Sequence, residues 1–173
     1  MKLTKEQRKV AYATAADNLR PPLKYVQIKG GKAVALDGFV LAEVSLDTTE
    51  EENLLGFLIP GKDLLSAKDS KGGGVIITPP VEGKVKLIGE QTTEVVLFER
   101  TFPETEQLYP TLPEVFSIYL NTDKLEKLIK ICGKDASVKF TFYRSSLPVK
   151  FETEKERIRG LVMPMASWGK REV

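Results

Sequence analysis

The sequence holds no histidine and a single cysteine, Cys132. The first absence removes the commonest general base and the commonest metal ligand. Together the two exclude zinc sites built from Cys and His clusters. One cysteine cannot form an internal disulfide, and its solitary use fits a reducing cytosol. No run of about 18 apolar residues occurs, so no membrane-spanning helix is expected. The opening MKLTKEQRKV carries charge with no apolar segment behind it, which does not describe a secretion signal. An excess of one charge sign is missing as well: 26 basic residues stand against 24 acidic ones, net +2. Such balance argues against holding nucleic acid by bulk charge and leaves room only for a local basic face. What is present is 42% hydrophobic and 29% charged over 173 residues. That describes a globular chain able to bury a core without disulfides or metals.

Residues 4–18 are a predicted helix. Thr4 is its N-cap, and Gln7 completes a capping box. Lys5, Arg8, Lys9 and Tyr12 fall on one face at i, i+3, i+4 and i+7. Arg20-Pro21-Pro22 ends the helix. Tyr25–Lys29 and Lys32–Leu36 are strands joined at Gly30-Gly31. Asp37-Gly38 is a second turn, before a strand over Phe39–Leu46. The acidic segment Thr48–Asn53 is expected as a surface loop. A strand over Leu54–Ile59, a short helix over 60–67 and a flexible KDSKGGG loop follow. Strands are then expected over 75–78, 84–90 and 94–100. The proline-bearing segment 101–114 is an extended connector.

The plan then repeats. Val115–Leu120 is a strand. Asn121 or Thr122 caps a helix reaching Cys132, with Leu125, Leu128, Ile129 and Cys132 on its apolar face and Gly133 as its stop. Strands follow over 137–143, 148–153 and 157–162. The order strand, helix, three strands therefore recurs three times. In the first copy the leading strand is at most Met1–Thr4. This is repetition of element order rather than of residues. Each copy is too small to hold a core alone, so the copies must pack together.

No nucleophile–base arrangement is visible. Glu50-Glu51-Glu52 reads as a solvated loop rather than a metal or catalytic site. Gly72–Gly74 lacks the Gly-Lys-Ser/Thr of a phosphate loop and precedes a strand. Two helices carry basic faces: Lys5, Arg8 and Lys9 on the first, and Lys124, Lys127, Lys130 and Lys134 on the last. Either these are ordinary solvated faces or they meet the phosphate backbone of duplex DNA, positioning it without reading bases. Cys132 reads as a buried small hydrophobe. Near the end, IRGLVMPM gathers Met163 and Met165 about Pro164, which cannot donate to a sheet ladder.

These stretches, in this order, resemble the bacterial sliding clamp family, the beta subunit of DNA polymerase III. RPPLKYVQIKGGKAVALDGFVLAEV is similar to the clamp's Arg-Pro, strand and Thr-Asp-Gly-His-Arg-Leu turn, with Leu36-Asp37-Gly38-Phe39-Val40-Leu41 in the place of that turn. FLIPGKDLL resembles its strand, proline and short helix. ERTFPETEQLYP resembles its Phe-Pro-Asp-Tyr linker. IYLNTDKLEKLIKI resembles the helix of the last half-domain, and PVKFETEKERIRGLVMPM the closing Val-Met-Pro-Met. The turn departs from the family in carrying Phe39-Val40 where His-Arg is usual. The chain also has about three units where a bacterial clamp has six.

The resemblance implies an α+β, DNA-clamp-like fold of repeated strand-helix-three-strand units, with antiparallel sheets on one side and helices on the other. It divides the chain into residues 1–110 (two units), 111–166 (a third unit) and a 167–173 tail. It implies a cytoplasmic, non-catalytic replication or repair factor without cofactor or metal, self-associating as a homo-oligomer on duplex DNA. Polymerases or repair proteins would dock through a short linear motif. The groove for that motif would be lined by Leu36, Gly38, Phe39, Val40, Leu41, Pro110, Leu161, Val162 and Met163, with Pro164 and Met165 at its edge. The alternative for these apolar residues is plain core. Trp168 on the tail would either cover the groove or contact the partner. A degenerate clamp relative that only binds peptides is the second reading, and an enzyme using unrecognised carboxylates is the third.

Overall fold

The computed structural model describes residues 1–17, 19–133, 136–153 and 158–165. The chain divides into two compact bodies, Met1–Tyr109 and Pro110–Val173.

The first body contains β1 (Lys2–Leu3), α1 (Lys5–Arg8), β2 (Tyr25–Lys29), β3 (Lys32–Leu36) and β4 (Leu41–Ser45). These are followed by α2 (Glu50–Asn53), β5 (Gly56–Pro60), α3 (Gly61–Ser66), β6 (Val75–Ile77), β7 (Lys84–Ile88) and β8 (Thr92–Val96). Two antiparallel four-stranded sheets result, ordered β4-β3-β2-β5 and β1-β6-β7-β8. Each sheet takes three consecutive strands from one unit and the leading strand of the other. The two units thus trade their first strands, and neither sheet is complete without its sister. Inward alternation along the strands supplies the core. Val26 and Ile28 of β2, Ile59 of β5, Val75 and Ile77 of β6, and Val85 and Leu87 of β7 join Leu3 and Leu64 in one buried cluster.

Three expectations change here. The predicted helix over 4–18 is α-helical only over Lys5–Arg8 and tightens to a 3-10 turn over Lys9–Ala13. Its N-terminus is as expected, with Gln7 N donating to Thr4 Oγ1 at 3.2 Å and Thr4 N to Gln7 Oε1 at 2.9 Å. Val10, Ala11 and Ala13 are all buried. The tighter turn of three residues brings Val10 and Ala13 to the same side. The Thr14 hydroxyl then donates to the Ala11 carbonyl at 2.8 Å. Second, the leading strand of the first unit is present as β1, pairing Lys2 with Ile76 and Leu3 with Val75. Third, the acidic segment is not a loop. Thr49 and Glu52 form their own capping box, at 3.3 and 3.0 Å. The three acids of its first turn suit the positive end of α2.

The second body contains α4 (Thr122–Cys132), β9 (Val138–Thr141), β10 (Val149–Thr153) and β11 (Arg159–Val162), with the sheet ordered β11-β10-β9. Asn121 caps α4 by accepting from Asp123 N at 2.8 Å. Gly133, at φ +87°, ends it. Leu128, Cys132, Val149, Phe151 and Val162 form the buried cluster. Ile129, expected on the apolar face, is 59% exposed. The face of α4 that reaches the core is the narrow i, i+4 line of Leu128 and Cys132. The expected strand over 115–120 does not form as an element. Its one ladder contact among the described residues is an antiparallel bridge from Tyr119 to Met165, where Met165 N donates to Tyr119 O at 2.8 Å. Ile118 and Leu120 still turn toward the cluster.

Candidate functional site

The β3–β4 hairpin ends in a four-residue turn built around one carboxylate. Leu36 and Leu41 are the last paired residues. Asp37 Oδ1 accepts from Phe39 N and Val40 N, each at 2.8 Å. Those two donors hold the Asp37 carboxyl below its usual range, with Val40 the larger influence and the Arg20 charge a minor one. Arg20 Nη2 donates to Asp37 O at 3.1 Å and ties the turn to the segment before β2. Gly38 sits at φ +99°, and a Cβ there would lie 2.6 Å from both terminal nitrogens of Arg20. The left-handed φ favours glycine, and any larger residue would also have to push the guanidinium aside.

Because Asp37 consumes their N–H groups, Phe39 and Val40 cannot join β4. Both project instead, Phe39 at 94% exposure. They form one wall of a cavity of about 760 Å³. Leu36, Gly38 and Leu41 line it with them. Pro22 and Leu23, from the 3-10 turn Pro21–Lys24, give a second wall. Pro103, Leu108 and Tyr109 of the connector give a third, and Arg20 and Glu104 place opposite charges on the rim. Its volume lies in the range of natural ligand pockets, and its few polar groups can orient an apolar guest.

Five residues expected from the sequence therefore do come together: Leu36, Gly38, Phe39, Val40 and Leu41. Sequence reasoning did not single out Arg20, Pro22, Leu23, Pro103, Glu104, Leu108 or Tyr109. The Arg-Pro and Phe-Pro words of the resemblance mark both segments. Pro110, Leu161, Met163, Pro164 and Met165 belong to the second body, where Leu161 and Met163 are largely exposed. Val162 is a correction: its side chain turns inward and packs with Leu128 and Val149, so at this position the plain-core alternative holds. Trp168 lies outside the described residues.

The basic faces need one correction. Arg8, expected to face DNA, is 5% exposed. Its Nη1 donates to Leu64 O at 2.9 Å and to Ala67 O, and its Nη2 pairs with Asp69. The end of α3 presents carbonyls that a cation satisfies, so Arg8 turns inward to cap it. Lys5 and Lys9 remain exposed, and Lys9 pairs with Glu6 at 2.6 Å. On α4, Lys124, Lys127 and Lys130 are exposed, with Lys130 paired to Glu126 at 2.5 Å. Lys134 lies outside the described residues.

No protein-family profile matches the sequence, and no curated protein matches it. Solved structures do. The DNA polymerase sliding clamp from Bacillus subtilis superposes at a TM-score of 0.71, with 18% identity, over 95% of this chain and 48% of the clamp. The Pseudomonas aeruginosa sliding clamp with ligand gives 0.68 and 18%, over 98% and 52%. The Bartonella birtlesii sliding clamp bound to griselimycin gives 0.67 and 15%, over 96% and 51%. The chain therefore has the α+β fold of bacterial sliding clamps, and it spans about half the length of those it matches.

Proposed function

We propose that the chain is a clamp-like, non-catalytic DNA replication or repair factor that self-associates around or along duplex DNA. It docks partner proteins, polymerases or repair enzymes, through a short linear motif held in the pocket beside the Asp37–Val40 turn. The observation that carries this reading is the pocket itself: an apolar cavity, walled by projecting Phe39 and Val40, on a chain with the clamp fold. A cavity of that size accepts two or three adjacent side chains of an extended peptide, a common recognition mode. Phe39 and Val40, in the place of the family's usual His-Arg, make the wall more apolar and favour leucine or phenylalanine in the guest. On the second body, Leu161, Met163, Pro164 and Met165 offer an apolar surface of their own in this reading, methionine adapting to varied guests. Lys5, Lys9, Lys124, Lys127 and Lys130 supply the backbone contacts to DNA.

A second reading keeps the pocket and drops the DNA. It gains from the burial of Arg8 and the pairing of Lys9 and Lys130 with glutamates, which thin both basic faces. Two measurements test these readings, and the second divides them. Fluorescence anisotropy with labelled peptides carrying adjacent Leu and Phe residues should show binding that Phe39→Asp weakens at least tenfold without unfolding the chain. Unchanged affinity would remove the pocket from both readings. Retention on nicked circular DNA, lost on linearisation, should occur under the first reading and not under the second.

A further inference from the structure

The three units differ in who supplies the leading strand. The helix N-caps Thr4, Pro60 and Asn121 align the three leading segments. The residue before each cap is then Leu3, Ile59 or Leu120, and the third before is Met1, Phe57 or Ile118. Leu3 lies opposite Val75 on β6, and Ile59 opposite Val26 on β2. In both cases the leading strand of one unit covers the first of the three strands of its sister.

Among the described residues, that edge has no such cover in the third unit. The outer strand β9 pairs on one side with β10, and among the described residues its other side is open. The side chains record the vacancy. Val26 and Ile28, like Val75 and Ile77, are at most 1% exposed. Their counterparts on β9 are Val138 and Phe140, which lie opposite the buried Thr153 and Phe151 of β10. Val138 is only half-buried, and Phe140 is 37% exposed. Leu120 is likewise half-buried where Leu3 and Ile59 are at 0%.

The leading segment of the third unit is also half satisfied. Leu58 gives its carbonyl to Phe98 N at 3.3 Å, within its own unit. Tyr119, at the equivalent position, gives its carbonyl to Met165 N at 2.8 Å. Backbone groups along a strand point alternately to either side. The groups of Ile118 and Leu120 therefore point to the side where a sister unit would stand. In the first body that side is filled: Met1 and Ile77 exchange both backbone bonds, at 2.9 and 3.1 Å.

We propose that a second copy of this chain completes the third unit. Residues 117–120 of each copy add antiparallel to the open edge of β9 in the other. Leu120 then lies opposite Val138, Tyr119 opposite Lys139 and Ile118 opposite Phe140. The contact is reciprocal, so it closes as a two-fold dimer rather than a fibre. It repeats between copies the strand trade that the first body makes within one chain, and uses the pairing that an open strand edge invites.

The inference rests on sheet topology and requires neither DNA nor the pocket. Light scattering without DNA should give the mass of two copies at tens of micromolar. Ile118→Pro, which removes a donor from the traded strand, should weaken the dimer at least tenfold. In a second test, copies carrying Tyr119→Cys are mixed with copies carrying Lys139→Cys under mild oxidation. Directly opposed residues are close enough for a disulfide. The mixture should give a cross-linked dimer on a non-reducing gel, and either variant alone much less. A one-copy mass at every concentration would overturn the proposal. So would a mixture that cross-links no better than its components. A dimer that is not retained on circular DNA would overturn the encircling role and leave this contact standing.

Discussion

Arg8→Ala is expected to destabilise the first body by about 3 kcal/mol, although the sequence places Arg8 on an exposed basic face. The guanidinium is 5% exposed, and it bonds the carbonyls of Leu64 and Ala67 and the carboxylate of Asp69. Removing one partner from a buried ion pair costs about 3–5 kcal/mol, mostly because the other is left without its counter-charge. Here the Asp69 side chain is 32% exposed and can rehydrate, which brings the figure to the low end. The two carbonyls at the end of α3 lose charge-assisted donors as well, but water entering the space left by the side chain recovers part of that loss. Arg8→Lys should fall between, since an ammonium cannot span the fork. Lys5→Ala and Lys9→Ala, both at exposed positions, should stay within about 0.5 kcal/mol of the parent. Thermal unfolding followed by circular dichroism reads the difference as a midpoint lower by roughly 10 °C. An Arg8→Ala chain that melts with the parent yet loses retention on circular DNA would refute the reasoning and return Arg8 to the DNA face.

Two further outcomes follow from the hairpin turn. Gly38→Ala should cost more than about 1 kcal/mol, because alanine is strained at φ +99° and its methyl would displace Arg20. Unfolding midpoints together with peptide anisotropy should show both stability and binding reduced. The pH dependence has a definite sign. The Asp37 carboxyl is held below its ordinary value by Val40 N–H and then Phe39 N–H. Its contribution is therefore fully present above that ordinary value and is lost only as pH falls through the lower folded value. The amide signals of Phe39 and Val40 should stay constant from pH 8 to 5 and move below about pH 4. Movement between pH 7 and 5 would assign the turn to another group.

What could be read from the sequence depended on the range of the interaction that decides each feature. The Thr4–Gln7 box, the Asn121 cap and the Gly133 stop are contacts within four residues, and all three stand in the structure. The same local rule fits Thr49 and Glu52, but the run of glutamates invites a solvated-loop reading that hides the box. Helical spacing puts Arg8 on the exposed face only if the helix continues. The chain tightens at Lys9, and the partner that pulls Arg8 inward is 61 residues away. The pocket was half legible for the same reason. Leu36 to Leu41 are one turn, whereas Pro22, Leu23, Leu108 and Tyr109 reach it from opposite ends of the first body.

Residues 117–120 are the extreme case of a feature decided by a distant partner. Their alternation is that of a strand, with Ile118 and Leu120 inward and Tyr119 outward, and the sequence supports that reading. Among the described residues they nevertheless form no ladder beyond the bridge to Met165. A helix closes its hydrogen bonds within its own segment, so α4 can be read from eleven residues alone. A strand is completed by another strand, and the sequence names no partner. In the first body the partners prove to be traded between units, β1 to the β6 sheet and β5 to the β2 sheet. The two units there must therefore fold together, because neither sheet closes without the other's first strand. By the same logic the third unit, with α4 in place and the edge of β9 open, carries a strand-forming sequence whose ladder depends on a further unit.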